Sequence, residues 1–251
     1  MTAIPKLRLR RWCLAFLLTH AFLMAASQNN ETVQHHIARL IKEAAQPELI
    51  HTTAETSFDT AFKLEYHDLI RENHIYAAAL KRIDAARIRE LGTPQSLAAP
   101  RSATLALDQL HSVYAAEIRH EQRVQQIYTR LRHVFETAQV PSSSRAKLLE
   151  IFRNAIAVPS SQRQRCIAAE KSWIVSMDEL YQFANEHSNS LSIVAGTISI
   201  EDPVVRDKFN HEIISEELQR KAFLQQQNEY AKMQAKVLDA LGIDAATLGL
   251  Q

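Results

Sequence analysis

The chain has 251 residues, 46% of them hydrophobic and 23% charged, enough to bury a core and too apolar for a disordered tail. Its 4 glycines are isolated from one another, so neither a G-x-G-x-x-G nor a Walker loop can be written, which disfavours the usual nucleotide chemistry. The formal charge of +1 owes its sign to Lys6, Arg8, Arg10 and Arg11; residues 28–251 hold 25 basic against 28 acidic side chains, a net −3, with no basic face for nucleic acid.

Residues 1–27 read as a signal peptide. A basic start leads into the apolar run from Trp12 to Ala26, and Ala25-Ala26-Ser27 has the small side chains of a cleavage site. The run is about 15 residues and is interrupted by Thr19 and His20, whereas a spanning helix needs about 20. Export to the periplasm or the exterior is therefore expected. The alternative is an uncleaved anchor at residues 12–26 in the inner membrane, the one way this sequence would meet a bilayer. Residues 28–251 form one predicted helical-bundle domain. They hold a single cysteine, Cys166, which reads as a small buried side chain beside Ile167.

In chain order, Asn30 is a predicted N-cap for a short helix with the stripe Ile37, Leu40, Ile41 and Ala44, stopped by Pro47. Thr52 and Glu55 have capping-box spacing ahead of a long helix to Leu91. Its seam is Phe62, Tyr66, Leu69, Asn73, Tyr76, Leu80 and Ile83, and Gly92 supplies the turn after it. A second long helix runs from about Pro100 to Gln139, with two adjacent rows in sevens. One is Leu107, Tyr114, Glu121, Tyr128 and Phe135; the other is Leu110, Glu117, Val124, Leu131 and Ala138. Ser142 to Ser144 begin a short helix that Pro159 closes.

The third long helix starts at Ser160 or Ser161, with the seam Ile167, Glu170, Ile174, Met177, Tyr181 and Ala184. Leu191 to Ile200 is rich in β-branched residues around Ala195-Gly196 and predicts a small hairpin or extended loop. Asp202-Pro203 then starts the last helix, which runs to Leu241. Long helices, short connections and period-3.5 seams predict an all-α fold: an elongated antiparallel bundle of four long helices plus two short ones, with an extended insertion near residues 191–200.

Each long seam carries polar residues at its middle. Asn73 lies 19 residues before Gly92 and Glu117 lies 17 after Pro100; Glu170 lies 20 before Ser190 and Arg220 lies 17 after Pro203. Straight helices would set them at matching depth in each hairpin. The candidate polar layer is Asn73, Glu117, His120, Glu121, Glu170, Glu216 and Arg220. Its structural reading is a set of buried mismatches that fixes helix register. A second reading is metal: Glu117 and His120 have the Glu-x-x-His spacing of carboxylate-bridged bundle sites, which take iron or manganese and support oxidoreductase chemistry. In that spacing the chain looks like ferritin-like di-iron proteins. It has no second such pair, however, and Arg220 would bring an unwelcome cation. A third reading is a small-ligand pocket lined by Tyr66, Tyr76, Tyr114 and Tyr128. No cofactor and no catalytic residue is predicted: no H-E-x-x-H, no G-x-S-x-G and no Cys pair can be written.

The junction Leu180-Tyr181-Gln182-Phe183 through Ala195-Gly196-Thr197-Ile198-Ser199-Ile200 to Lys208-Phe209-Asn210 is similar to one in exported helical-bundle proteins of unknown function from Gram-negative bacteria. That resemblance implies export and an α-helical bundle and transfers no active site. The sequence therefore points to a cell-envelope protein with a non-catalytic binding or scaffolding role. Its expected partner is an unknown envelope protein, or a second copy through coiled-coil-like helices. The polar last helix, with Gln225-Gln226-Gln227, Lys232 and Lys236, is the candidate partner face.

Overall fold

The computed structural model describes residues 28–46, 57–140, 142–153 and 158–241. The fold is all-α. Four long helices, α2 (Ser57–Lys81), α5 (Thr104–Thr137), α7 (Val158–Glu186) and α8 (Pro203–Leu241), carry most of the chain. Shorter pieces are α1 (Gln28–Ala44), α3 (Ala85–Ile88), α4 (Pro94–Ala98) and α6 (Ser142–Phe152). Strands β1 (Ser192–Val194) and β2 (Thr197–Ser199) form an antiparallel hairpin in which Ile193 faces Ile198. Ala195 and Gly196, at φ 50° and 78°, make its two-residue turn, and the hairpin lies beside α4. Among the described residues no helix is long and apolar enough to cross a membrane.

Four expected boundaries are corrected. The short helix expected to run to Pro159 ends at Phe152, and α7, expected from Ser160 or Ser161, begins at Val158 with Pro159 in its first turn, where a proline's missing N–H costs no helical bond. The helix expected to reach Leu91 ends at Lys81, because Asp84 competes for the backbone: its carboxylate accepts from the Ala86 N–H at 3.1 Å and restarts the chain as the single turn α3. The helix expected from Pro100 begins at Thr104. Before it, Thr93 caps α4 with Pro94 in the first turn, and residues 100–103 tighten into a 3-10 turn. Asn30 lies inside α1, not at its cap. The Thr52–Glu55 capping box and Pro47 fall outside the described residues, as do residues 1–27.

The described residues pack as two compact units, one drawn from residues 79–117 and 164–228, the other from those within 28–78, 118–163 and 229–241. In the first, Leu110, Val113, Trp173, Met177, Leu180 and Phe223 lie at the centre of the apolar cluster. Trp173 stacks on Phe223 at 5.4 Å and Phe183 meets Phe209 at 6.2 Å, so α7 and α8 run antiparallel. The connector of α3 and α4 is fastened from inside. The Tyr181 hydroxyl accepts from the Gly92 N–H at 3.0 Å and shares a 2.6 Å hydrogen bond with the Ser96 hydroxyl. Gly92 has φ 74°, the left-handed conformation expected of a residue that ends a helical stretch.

In the second unit, Leu40, Phe62, Leu69, Val124, Leu131 and Phe135 belong to one buried cluster. Phe62 meets Phe135 at 5.8 Å and Tyr76 meets His120 at 4.3 Å, so α2 and α5 also run antiparallel. The helix α1 is held by the stripe read from the sequence: Ile37, Leu40, Ile41 and Ala44 are all buried. Polar contacts fix its position on α2. His36 Nε2 lies 2.9 Å from Asp59 Oδ1, and the wholly buried Lys63 places its ammonium 3.6 Å from Glu43 Oε2.

Candidate functional site

Most residues of the expected seams are buried, with Leu80, Ile83, Leu107 and Tyr114 half-buried, and the polar members lie inside too. Asn73, Glu117, His120, Glu121, Glu170 and Glu216 are all buried, and Arg220 is half-buried. They fall into two sets. Asn73, His120 and Glu121 belong to the second unit; Glu117, Glu170, Glu216 and Arg220 belong to the first.

In the second unit the centre is His120, only 2% exposed. Its ring stacks on Tyr76 with an interplanar angle of 5°, and its Nδ1 lies 3.8 Å from Glu72 Oε1. Burial, reinforced by the positive charge of Arg163, pushes the imidazole down from 6.5 to about 3. His120 is therefore neutral at physiological pH, and its contact with Glu72 is not an ion pair there. Glu72 is itself pushed up by burial, against the pull of Arg123 and Arg71. Arg123 lies 3.6 Å from its other oxygen. Glu121 meets Arg163 at 3.8 Å and accepts from Gln125 at 2.8 Å; the same Gln125 amide also donates to Ser160 at 2.8 Å. Arg163 in turn lies over the Tyr230 ring, 5.8 Å from its centroid. Asn73 donates to the Leu69 carbonyl of its own helix at 2.7 Å, and its Oδ1 has no hydrogen-bond partner among the described residues.

In the first unit Glu216 is the best-defined member. It accepts from the Trp173 indole N–H at 2.8 Å and lies 3.4 Å from Arg220 Nε one turn along α8. Burial raises its carboxyl above the ordinary value; the Trp173 hydrogen bond and Arg220 oppose that rise, and Glu217 adds to it. Glu117 and Glu170 bear on the half-buried Tyr114. Its hydroxyl is raised by burial first, then by the negative charge of Glu170 and of Glu117. Arg220, awkward for a metal centre, is in place here as the counter-charge of Glu216.

These arrangements do what structural polar groups do: Glu72 and Glu121 face arginines, Glu121 also takes an amide, and Glu216 takes an indole N–H and an arginine. Among the described residues no group of three or more His, Cys, Asp or Glu side chains is placed to hold a metal ion, Glu117 and His120 included. The tyrosines proposed for a pocket are packed: Tyr66 and Tyr128 lie in the apolar cluster of the second unit, where burial holds both hydroxyls well above their ordinary value. His67 points its Nδ1 at the Ala44 carbonyl, 3.1 Å away, and His74 is exposed. Cys166 is buried, in keeping with its reading as a small apolar side chain.

No family model, curated protein or solved structure matches this chain. The site has to be judged on its own residues. Glu72 and Arg163, which join the polar set of the second unit, were missed from sequence. Glu72 sits next to Asn73, one position off the counted seam, and Arg163 lies in the run Gln162-Arg163-Gln164-Arg165, which reads as helix surface. The available signal was the seven-residue step from Arg163 to Glu170, which sets both on one face of α7.

A different surface feature does stand out. Val204, Ile214 and Leu218 on α8 are 62%, 59% and 62% exposed, the most exposed large aliphatic side chains in any described helix. Ile214 and Leu218 are one turn apart, and Leu218 lies two heptads from Val204, so the three share one side of the helix.

Proposed function

We propose that this protein acts by binding, as a non-catalytic scaffold of the cell envelope, and that it reaches the envelope by export. The observation that carries the binding reading is the aliphatic stripe Val204, Ile214 and Leu218 on the outer side of α8. Single exposed aliphatics are ordinary, but three on one helix side form a surface that a partner helix can cover, at about 1.5–3 kcal/mol for each side chain fully buried. The neutral imidazole of His120 and the matched Glu216 support the same reading, because they spend the buried polar groups on holding helices together. Export is supported by the basic, apolar and small-residue succession of residues 1–27 and by the likeness of residues 180–210 to exported bundle proteins.

The test is made in intact cells, with a photo-crosslinking residue at position 214 and the protein located by fractionation. The reading expects envelope fractionation, a chain starting at Gln28, and discrete adducts from position 214 that Leu218→Glu abolishes. A cytoplasmic chain of full mass would overturn export, and the absence of any adduct would overturn binding through α8.

A further inference from the structure

The outer side of α8 fits a particular occupant, and the fit lies in its charges. Asp207, Ile214 and Lys221 are spaced by sevens and all three are exposed. Seven residues fall within about 20° of two full turns, so these three lie nearly on one line, with an acid and a base about 10.5 Å either side of the isoleucine. His211 and Leu218 flank that line on one side, and Asn210 and Glu217 on the other.

We propose that this face binds a second copy of the same chain, with the two α8 helices antiparallel about a two-fold axis at Ile214. The idea rests on the binding reading above and names its partner. A two-fold axis there sends each residue to the opposite height on the same flank. Ile214 then meets Ile214 of the second copy, and Asp207 meets Lys221 twice. Leu218 lies at the height of His211, and Glu217 at the height of Asn210, each within about 1.5 Å along the axis. No like charges meet.

The competing arrangements are worse by the same count. A parallel pair sets Asp207 against Asp207 and Lys221 against Lys221. An antiparallel pair centred between Ile214 and Leu218, the usual coiled-coil layering, brings Glu217 against Glu217 at its centre. Of these three, the register on Ile214 is the self-complementary one, and an isologous contact of this kind closes as a dimer instead of growing into a fibre.

Sedimentation velocity of the purified protein from about 1 to 200 μM tests this. The expected result is a reversible monomer–dimer equilibrium. Leu218→Glu or Ile214→Glu should leave only monomer, with the circular dichroism unchanged and the melting temperature matching that of the dilute, monomeric parent, because both side chains are exposed. Asp207→Lys alone places two lysine pairs in contact and should weaken the dimer by about tenfold; adding Lys221→Asp should restore it. A monomer throughout the range overturns self-pairing. So does a dimer indifferent to Leu218→Glu, or a double charge reversal that fails to restore association. In the first case, a cellular adduct between position 214 and a different protein would keep the binding reading alive, whereas no adduct of any kind would remove both.

Discussion

Acidification tests the account of the second unit through one ring. In the fold the His120 imidazole titrates at about 3, against 6.5 unperturbed. Between those values the unfolded chain holds a proton that the folded chain refuses. Stability from His120 is therefore complete above about pH 6.5 and is lost as pH falls towards 3. The loss from this residue is about 2 kcal/mol between pH 7 and pH 5, approaching about 5 kcal/mol near pH 3. Glu72 works in the opposite sense: its raised carboxyl adds stability as pH falls through its folded value, so the comparison needs a variant. His120→Phe keeps a flat ring against Tyr76 and cannot titrate. Urea unfolding followed by circular dichroism at pH 7 and pH 5 should show the parent losing about 2 kcal/mol more than the variant, a difference of about 1 M in midpoint. Equal losses in the two proteins would refute the claim that this imidazole is held neutral by burial.

Other substitutions probe the same logic elsewhere. Glu216→Gln keeps an acceptor for Trp173 but leaves Arg220 without its counter-charge, so unfolding at pH 7 should lose about 1–3 kcal/mol. Trp173 is the single tryptophan beyond residue 27, and its emission should lose any acid-range titration in that variant. Asn73→Leu deletes a buried carbonyl oxygen that lacks a hydrogen bond, and the urea midpoint should stay level or rise. A loss above about 2 kcal/mol would show that the amide has a stabilising partner. Gly92→Ala meets no atom within 4 Å, so its cost is the positive φ alone, about 1 kcal/mol by thermal unfolding. Tyr181→Phe, which strips the Gly92 N–H and the Ser96 hydroxyl of their partner, should cost about 1–3 kcal/mol in the same assay.

What could be read in advance depended on the kind of signal. Burial along the long helices follows from the period of the apolar residues, which is why Phe62, Val124 and Met177 are where the seams put them. The same period misled at residues 82–92. Ile88 and Leu91 are apolar and indeed buried, yet the helix has already stopped, and the five-residue step from Ile83 to Ile88 marks the break. Periodicity reports which side faces inward, and it cannot see a carboxylate such as Asp84 drawing the backbone out of the helix. For the polar residues, the sequence located the buried acids and the histidine but not their partners. His120 finds Tyr76 and Glu72 on α2, a pairing that depends on the vertical offset between two antiparallel helices. The exposed aliphatics of α8 escaped notice because Val204, Ile214 and Leu218 lie among acids, amides and bases that read as an ordinary wet surface.

The grip of Tyr181 on Gly92 has a kinetic corollary. A turn amide facing solvent exchanges its hydrogen quickly, yet the Gly92 amide is bound to a phenol anchored in a helix 89 residues away in sequence. Deuterium uptake at that one amide therefore clocks the detachment of the connector from α7, and slow uptake there would mark the connector as opening only when the surrounding unit does.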